Sequence, residues 1–204
     1  MDIGSLAERL VEFDTATLHE SGASATMDVG MRMLSGDARL AGPAVTAMCP
    51  PGNNFMIHKA VAQATAGTVL VAQCHDANFG VWGEILTVAA QTRDVVGLVL
   101  DGSVRDLGAI RALGFPVFAR GTCLRGTGKA AEGSVGQPIS CGGTLVRSGD
   151  LIVADESGIV VIPAEDAEAI LARAEQRFRK EAAMIRELRS GRTTMELLGL
   201  QKEA

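Results

Sequence analysis

The chain has 204 residues, of which 47% are hydrophobic, and its formal net charge is −5. A single domain of this length can bury roughly 70% of the surface that its unfolded chain exposes, so folding requires neither disulfides nor a structural metal. The acidic balance and the absence of tyrosine argue against nucleic acid as a partner, because phosphate contacts need clustered basic residues and base stacking needs aromatic ones.

Local signals in the first 120 residues predict helices and strands in alternation. Ser5 and Glu8 have the spacing of a capping box, which predicts a short helix that opens at Ser5. The elements predicted after it are a helix at 15–21, a strand at 40–48, a helix at 55–66, a strand at 68–72, a helix at 81–92, a strand at 95–100, a helix at 106–113 and a strand at 116–119. Such alternation is typical of βαβ units with a parallel sheet.

The remaining sequence has a different character. Glycine-containing turns at 142–143, 148–150 and 156–158 separate short apolar runs, which predicts a β-layer packed on the α/β part. A long charged helix is predicted at 164–190, and a short apolar one at 193–200. We therefore predict one α/β domain, 1–204, whose C-terminal helical arm spans about 164–204.

Nothing in the sequence indicates export or a membrane span. The first residues lack the basic and apolar regions of a signal peptide, and no uninterrupted apolar run approaches ~18 residues. The four cysteines, Cys49, Cys74, Cys123 and Cys141, form no CxxC pair and no cluster with histidine, which favours reduced core residues over zinc ligands or disulfides. We expect a cytoplasmic protein that does not bind membranes.

Candidate site residues lie at one edge of the predicted sheet. In a βαβ unit the start of a helix lies at the same end as the end of the following strand, and the element lengths place Glu84 near the turn at 101–106. The loop at 50–54 and the turn at 74–76 reach this edge as well. Ligands of open α/β sheets bind at the carboxyl ends of strands, so this edge is the first place to look.

The residues at this edge suit a hard cation and an anionic substrate. Carboxylate ligands without a histidine or cysteine cluster favour Mg²⁺ or Mn²⁺. Arg105, together with the amides of Ile85 and Leu86 in the helix turn that follows Gly83, could hold a substrate carboxylate. The structural alternative, which spacing alone favours, is that Asp106 caps its helix while Arg105 pairs with Glu84.

Seven segments together carry a resemblance to a known family. They are TLHE at 17–20, PPGNNFMIH at 50–58, GEIL at 83–86, DGSVRD at 101–106, GFPV at 114–117, CGG at 141–143 and GDLIVAD at 149–155. Over most of its length the chain resembles the family that contains 4-hydroxy-4-methyl-2-oxoglutarate and 4-carboxy-4-hydroxy-2-oxoadipate aldolases together with the RraA regulators of ribonuclease E. The resemblance implies an α/β/β sandwich with central βαβ units, a glycine-rich β-layer and a long C-terminal helix.

The resemblance also implies an activity and roles for particular residues. The chain is similar to class II, divalent-metal-dependent aldolases that release pyruvate from 2-oxo acids and also decarboxylate oxaloacetate. Glu84, twenty intervening residues and Arg105-Asp106 match the spacing of these aldolases. By resemblance, Asp106 would anchor the Mg²⁺ or Mn²⁺ ion, Arg105 would stabilise the pyruvate enolate and Glu84 would help to place a water. The chain departs from the usual pattern at Asn53 and Glu84, where many relatives have aspartate.

Several other candidates receive no catalytic role. His58 lies on an apolar helix face and is expected in the core or a pocket wall. The pair at 19–20 could equally line the pocket or cap a helix, and the pair at 75–76 is expected in a turn. The segment at 121–129 resembles a phosphate-binding loop, but Thr127 stands where the Walker A motif requires lysine.

Two further expectations concern assembly and an alternative function. The resemblance implies a homotrimer or homohexamer in which Glu181 reaches a neighbouring subunit's metal site, through water. Apolar residues at the end of the chain, Met195, Leu197, Leu198 and Leu200, would then be covered by a neighbour. The alternative function is an RraA-like regulator that binds ribonuclease E and catalyses no reaction.

Overall fold

A computed structural model describes residues 1–36, 39–75 and 77–200. Within these ranges the helices are α1 (Ile3–Leu10), α2 (Thr15–Glu20), α3 (Phe55–Gln63), α4 (Glu84–Gln91), α5 (Leu107–Ala112), a 3₁₀ turn (Ala164–Asp166), α6 (Ala167–Arg189) and α7 (Thr194–Leu197). The strands are β1 (Ala25–Thr26), β2 (Arg32–Ser35), β3 (Leu40–Met48), β4 (Val69–Gln73), β5 (Gly80–Trp82), β6 (Gly97–Val104), β7 (Val117–Thr122), β8 (Ser134–Val135), β9 (Ile139–Cys141), β10 (Thr144–Val146), β11 (Leu151–Asp155) and β12 (Gly158–Ile162).

Most of the described strands join one mixed sheet. Its order is β1-β12-β11-β3-β4-β6-β7-β2, with β5 beside β6 and β8 beside β3. Strands β3, β4, β6 and β7 pair in parallel, as the predicted βαβ units require. Strands β11 and β12 extend the sheet by antiparallel pairing, and β9 and β10 form a separate hairpin.

Three hydrophobic clusters show that the sheet curls into two packed layers between two helical layers. One cluster lies between α3, α4, α5 and the outer face of the parallel strands; it includes Ile57, Trp82 and Leu100. A second fills the space between the parallel strands and β9, β11 and β12. The third packs α1, α2 and the first half of α6 on the other face of β11 and β12. Burial of apolar side chains on both faces of the sheet supplies the main stabilisation of this arrangement.

The predicted α/β/β fold is confirmed, and its details need three corrections. The glycine-rich β-layer is continuous with the parallel sheet through the β3–β11 pairing, rather than a separate unit. Asp2, not Ser5, caps α1, since its side chain accepts a hydrogen bond from the Ser5 amide at 3.0 Å. Residues 81–82, predicted as the start of a helix, belong to β5, which pairs with β6.

Two expectations about particular residue types can also be compared with the structure. Cys49, Cys74 and Cys141 are buried core residues without disulfides, as predicted, whereas Cys123 is only partly buried. In the part of the chain that the structure describes, no helix is both long enough and apolar enough to cross a membrane.

Candidate active site

Asp106 is the least ordinary residue at the carboxyl edge of the sheet. It occupies the N-cap position of α5 with φ 54° and ψ 33°, in the left-handed region, and its side chain makes no capping hydrogen bond. A left-handed residue other than glycine costs about 1–2 kcal/mol, and a capping hydrogen bond contributes about 1 kcal/mol. The fold therefore forgoes stability here, and the Asp106 carboxylate is not used to cap its own helix.

Arg105 and Glu84 both meet the Asp106 carboxylate. The Arg105 Nε atom lies 3.6 Å from Asp106 Oδ2, and the Glu84 amide donates to the same oxygen over 3.4 Å. Nearly half of each side chain of the Arg105–Asp106 pair is exposed, so the pair contributes at most about 1 kcal/mol to stability. The structural alternative is not what the structure shows, because Asp106 does not cap α5 and Arg105 pairs with Asp106 rather than with Glu84.

Glycines make the close approach of these groups possible. A Cβ atom on Gly83 would lie 2.5 Å from Asp106 Oδ2, and one on Gly80 would lie 2.2 Å from the Cys123 carbonyl and 2.9 Å from the Arg105 Cβ. Real Cβ atoms do not approach so closely. The absence of side chains at both positions lets the first turn of α4 pack directly against Arg105 and Asp106.

A pocket of about 130 Å³, open to solvent, lies over this cluster. Its lining combines charged, polar and apolar residues: Asn54, His58, Gly80, Val81, Trp82, Gly83, Ile85, Leu86, Arg105, Asp106, Thr127 and Lys129. The amides of Ile85 and Leu86 belong to the first turn of α4, where amides have no intrahelical acceptor. Together with the positive end of the helix dipole they favour an anion.

The segment at 121–129 completes the pocket although it contains no nucleotide-binding motif. It is held to the 50–54 loop by hydrogen bonds from the Gly128 amide to the Gly52 carbonyl (2.9 Å) and from the Asn54 amide to the Gly128 carbonyl (3.2 Å). The Gly80 amide donates to the Arg125 carbonyl at 2.9 Å. These contacts bring Thr127 and the Lys129 side chain to the pocket, which adds a second cation to Arg105.

Two polar atoms of the pocket wall are buried without a hydrogen-bond partner. They are Asn54 Oδ1 and His58 Nε2; the Asn54 Nδ2 atom donates to the Val81 carbonyl at 2.8 Å. A buried unsatisfied polar atom costs about 1–3 kcal/mol, and such atoms often mark ligand sites. Burial, and secondly the Lys129 ammonium, hold the pKa of the His58 imidazole below its ordinary value, so this pocket-wall histidine is neutral at pH 7.

The other predicted residues are distributed as follows. Glu84 opens α4 with an exposed side chain. Asn53 does not line the pocket; its Oδ1 atom accepts from the Phe55 amide at 3.0 Å. His75 follows β4 at the same edge but does not line the pocket, and Asp76 lies outside the described residues. Glu181 lies on α6, where Arg177 Nε is 2.8 Å from its carboxylate.

The donor set fits a hydrated hard cation better than a closed metal cage. Among the residues that the structure describes, no three His, Cys, Asp or Glu side chains converge as a ligand group. Mg²⁺ commonly retains several waters and binds proteins through one or two carboxylates. A half-exposed Asp106 carboxylate beside Glu84 meets that requirement, whereas a structural zinc site would need four protein ligands.

The sequence signals for the additional pocket residues were weak. Lys129 and Thr127 lie in an irregular segment without periodicity, and only the clustering of glycines at 121–128 marks it as a loop near a site. The family pattern singled out Asn53, whereas its neighbour Asn54 lines the pocket. The asparagine that lines the pocket is therefore one residue further along the chain.

The fold and the pocket define an α/β/β sandwich protein with a pocket at the carboxyl ends of its parallel strands, lined by Arg105, Lys129 and the first turn of α4. The chain belongs to the RraA-like (Aldolase/RraA) family, whose model matches residues 9–161. A protein of Halalkalibacterium halodurans, provisionally named a 4-hydroxy-4-methyl-2-oxoglutarate aldolase, is 36% identical over 148 residues, which are 72% of this chain and 70% of that protein.

Solved structures agree with this assignment. An uncharacterized protein of Pseudomonas syringae superposes with a TM-score of 0.87 at 26% identity, covering 97% of this chain and 94% of that one. Streptomyces coelicolor RraAS2, described as an unusual member of the RNase ES inhibitor RraA protein family, gives a TM-score of 0.81 at 28% identity and covers 93% of this chain and 97% of its own.

Proposed function

We propose that this protein is a divalent-metal-dependent lyase that releases pyruvate from 4-hydroxy-4-methyl-2-oxoglutarate and similar 4-hydroxy-2-oxo acids, and that it also decarboxylates oxaloacetate. One observation carries the proposal: the half-exposed Asp106 carboxylate, the Arg105 guanidinium and the first-turn residues of α4 border one pocket. Each of these groups has a distinct task in releasing pyruvate from a 2-oxo acid.

The amides and Arg105 bind and orient the substrate. The 1-carboxylate accepts hydrogen bonds from the Ile85 and Leu86 amides, where the helix dipole adds to the attraction. The apolar Leu86 side chain borders this position and excludes water from one side of the substrate. Gly83 allows the carboxylate to approach the backbone, because it has no side chain to obstruct it.

Arg105 and Lys129 stabilise negative charge as the carbon–carbon bond breaks. Aldol cleavage and decarboxylation both leave the bonding electron pair on the carbon next to the keto group, which gives the enolate of pyruvate. The enolate oxygen carries the developing charge. Fixed cations beside that oxygen stabilise the transition state more than the ground state. No Schiff-base lysine is required, so Lys129 acts here as a charge.

Asp106 would hold Mg²⁺ or Mn²⁺, with Glu84 orienting a water nearby. When bound, the cation supplies Lewis-acid polarisation of the 2-keto oxygen. The neutral His58 in the pocket wall adds no positive charge that would compete with the cation. Relatives support this reading through the 36% identical protein of H. halodurans that is provisionally named an aldolase.

A second function is favoured by the likeness to RraAS2: a regulator that binds ribonuclease E without catalysis. The enzyme reading is preferred because the chain retains the full pattern of Glu84, Arg105 and Asp106. Arg105 and Asp106 line the pocket, and the Glu84 amide donates to Asp106. A protein that acted only by surface docking would gain nothing from a left-handed aspartate that does not cap its helix.

A lactate dehydrogenase-coupled assay of pyruvate release tests this proposal. Oxaloacetate and 4-hydroxy-4-methyl-2-oxoglutarate are supplied with saturating Mg²⁺ or Mn²⁺, and in parallel with EDTA. Enzyme-free and Asp106→Ala reactions correct for spontaneous decarboxylation of oxaloacetate. Metal-dependent turnover of either substrate supports the proposal. Absence of turnover with every metal and substrate would reject it, and binding to ribonuclease E would then be measured.

The proposal includes assembly into a homotrimer or homohexamer with shared sites. Within one chain, α6 packs on the outer face of β11 and β12, whereas the pocket belongs to the layer of α3, α4 and α5 on the other side of the sandwich. Glu181 can therefore approach only a neighbour's site. Exposed apolar residues in this region, Ile185, Met195, Leu198 and Leu200, provide a surface for such a neighbour to cover.

A further inference from the structure

The turn that enters α4 is held by a chain of hydrogen bonds inside the core. The Trp82 Nε1 atom donates to Thr87 Oγ1 at 2.7 Å, and Thr87 Oγ1 donates to the Gly83 carbonyl at 3.1 Å. The Gly83 carbonyl also accepts from the Thr87 amide at 3.0 Å. One carbonyl oxygen thus receives two donors from the same residue, which fixes its direction.

Neither Trp82 nor Thr87 is exposed to solvent. Both have 0% relative exposure, and the indole ring stacks on Phe115 with centroids 6.1 Å apart and an interplanar angle of 10°. The Trp82 carbonyl is held as well, since it accepts from the Arg105 amide at 2.8 Å. The hydroxyl of Thr87 therefore has one donor and one acceptor in fixed positions, and no water competes for it.

The carbonyl of Gly83 and the amide of Glu84 belong to one planar peptide unit. Because the peptide is planar, fixing the carbonyl direction also fixes the direction of the Glu84 N–H. That N–H points to Asp106 Oδ2, and the next two amides, of Ile85 and Leu86, line the pocket. The buried hydroxyl is thereby coupled to the groups that face the ligand.

We propose that Thr87 and Trp82 are positioning residues whose hydrogen bond sets the orientation of the ligand-binding amides at the start of α4. Neither residue needs to contact the reacting atoms. Thr87 acts through the Gly83–Glu84 peptide, and Trp82 holds the Thr87 hydroxyl in the rotamer that donates to Gly83. The ligand-binding part of this inference rests on the proposed function, whereas the backbone part does not.

The composition of the chain offers a direct optical test. Trp82 is the only tryptophan, and the chain has no tyrosine, so the ultraviolet emission of the protein reports on this turn alone. Loss of the hydrogen bond from the buried indole should shift the emission to shorter wavelength. Pyruvate bound next to the turn should change the emission intensity of the wild-type protein.

The decisive variant is Thr87→Val, which removes the hydroxyl while keeping the shape of the side chain. Thr87→Ser is its counterpart, because serine keeps the hydroxyl. Thr92→Val is the matched control, because the Thr92 hydroxyl bonds to the Ala89 carbonyl at 2.8 Å at the exposed far end of the same helix. In full-length protein with saturating Mg²⁺, we expect Thr87→Val to weaken pyruvate binding by about tenfold. Thr87→Ser, which keeps both side-chain hydrogen bonds, and Thr92→Val, which is a surface change, should remain within about twofold of wild type.

Amide hydrogen exchange separates this inference from the proposed function. Thr87→Val should speed exchange at residues 84–86 and shift the Trp82 emission, whereas the two other variants should do neither. Unchanged exchange and emission in Thr87→Val would overturn the inference. Failure of the wild-type protein to bind pyruvate would reject the proposed function. Amide exchange and Trp82 emission would then decide whether Thr87 and Trp82 orient the start of α4. If Thr87→Val does not fold, Trp82→Phe takes its place, because it removes the indole N–H and keeps the stacking on Phe115. Its effect is measured by amide exchange and by calorimetric titration with pyruvate.

Discussion

Gly83 and Asp106 approach so closely that a methyl group on Gly83 would lie 2.5 Å from the Asp106 Oδ2 atom. Gly83 has φ −161°, an extended conformation that any residue can adopt, so this contact is the main obstacle to a side chain. The obstacle is the end of a flexible side chain and can move away. A methyl group at Gly83 would therefore displace the carboxylate without unfolding the chain.

The first prediction follows directly: Gly83→Ala should lose metal-dependent activity at least tenfold while its melting temperature changes little. Calorimetric titration with Mn²⁺, combined with the pyruvate assay, measures the loss. The matched control is Gly108→Ala within α5, where a Cβ meets nothing within 4 Å. That change should stabilise the protein by about 0.5–1 kcal/mol, because alanine is the better helix former. Full activity in Gly83→Ala would show that the Asp106 position is not critical.

The second prediction separates the roles of Arg105 and Asp106. Arg105→Lys should bind Mn²⁺ as the wild type does but lose about 10²–10³-fold in kcat, because a lysine cannot reproduce the directed contacts of a guanidinium. Asp106→Ala should lose both metal affinity and activity, and Glu84→Gln should fall between these variants. Metal titration and steady-state kinetics distinguish the outcomes. Equal activity in all variants would instead indicate that the pair is structural.

The convergence of these residues could be predicted from sequence because it depends on topology. The twenty residues between Glu84 and Arg105 form a helix and a returning strand, and a right-handed βαβ unit brings the two ends together. The conformation of Asp106 could not be predicted, because aspartate before a helix ordinarily caps it. Its left-handed backbone depends on tertiary contacts with Arg105 and the turn at Gly83.

Short and irregular segments account for most of the differences between prediction and structure. Val81 and Trp82 are apolar residues that suit a helix or a strand equally well, and only pairing with β6 decides between them. Lys129 lies in a segment whose path is set by hydrogen bonds to the 50–54 loop, for which local sequence offers no signal. The continuity of β11 with β3 likewise depends on long-range pairing.

The third prediction concerns His58, whose pKa is lowered first by burial and secondly by Lys129. Since the folded protein binds this proton less readily than the unfolded chain does, His58 contributes stability above pH about 6.5 that is lost as the pH falls toward the folded pKa. NMR titration of the three histidines should show a depressed pKa that rises in Lys129→Met. Lys59→Met is the control, because Lys59 lies over the Phe55 ring and is not a cause of the shift. An unchanged His58 pKa in Lys129→Met would show that the Lys129 ammonium does not lie close to the imidazole.

The fourth prediction tests the shared site and uses the buried part of α6 as a guide. Removing the chain from Ala164 onward would take Ile170 and Leu171 out of the core, so the useful variant ends after Gly191 and deletes only α7, none of whose residues is buried. Light scattering coupled to size exclusion should show a trimer or hexamer for the full chain and a smaller species for this variant, with activity falling in parallel. Glu181→Gln should keep the assembly but reduce activity, because it removes the charge offered to the neighbouring site and otherwise disturbs only the ion pair with Arg177. A fully active monomer would contradict the shared site, and an assembled Glu181→Gln variant with normal kinetics would show that the neighbour contributes structure but no chemistry.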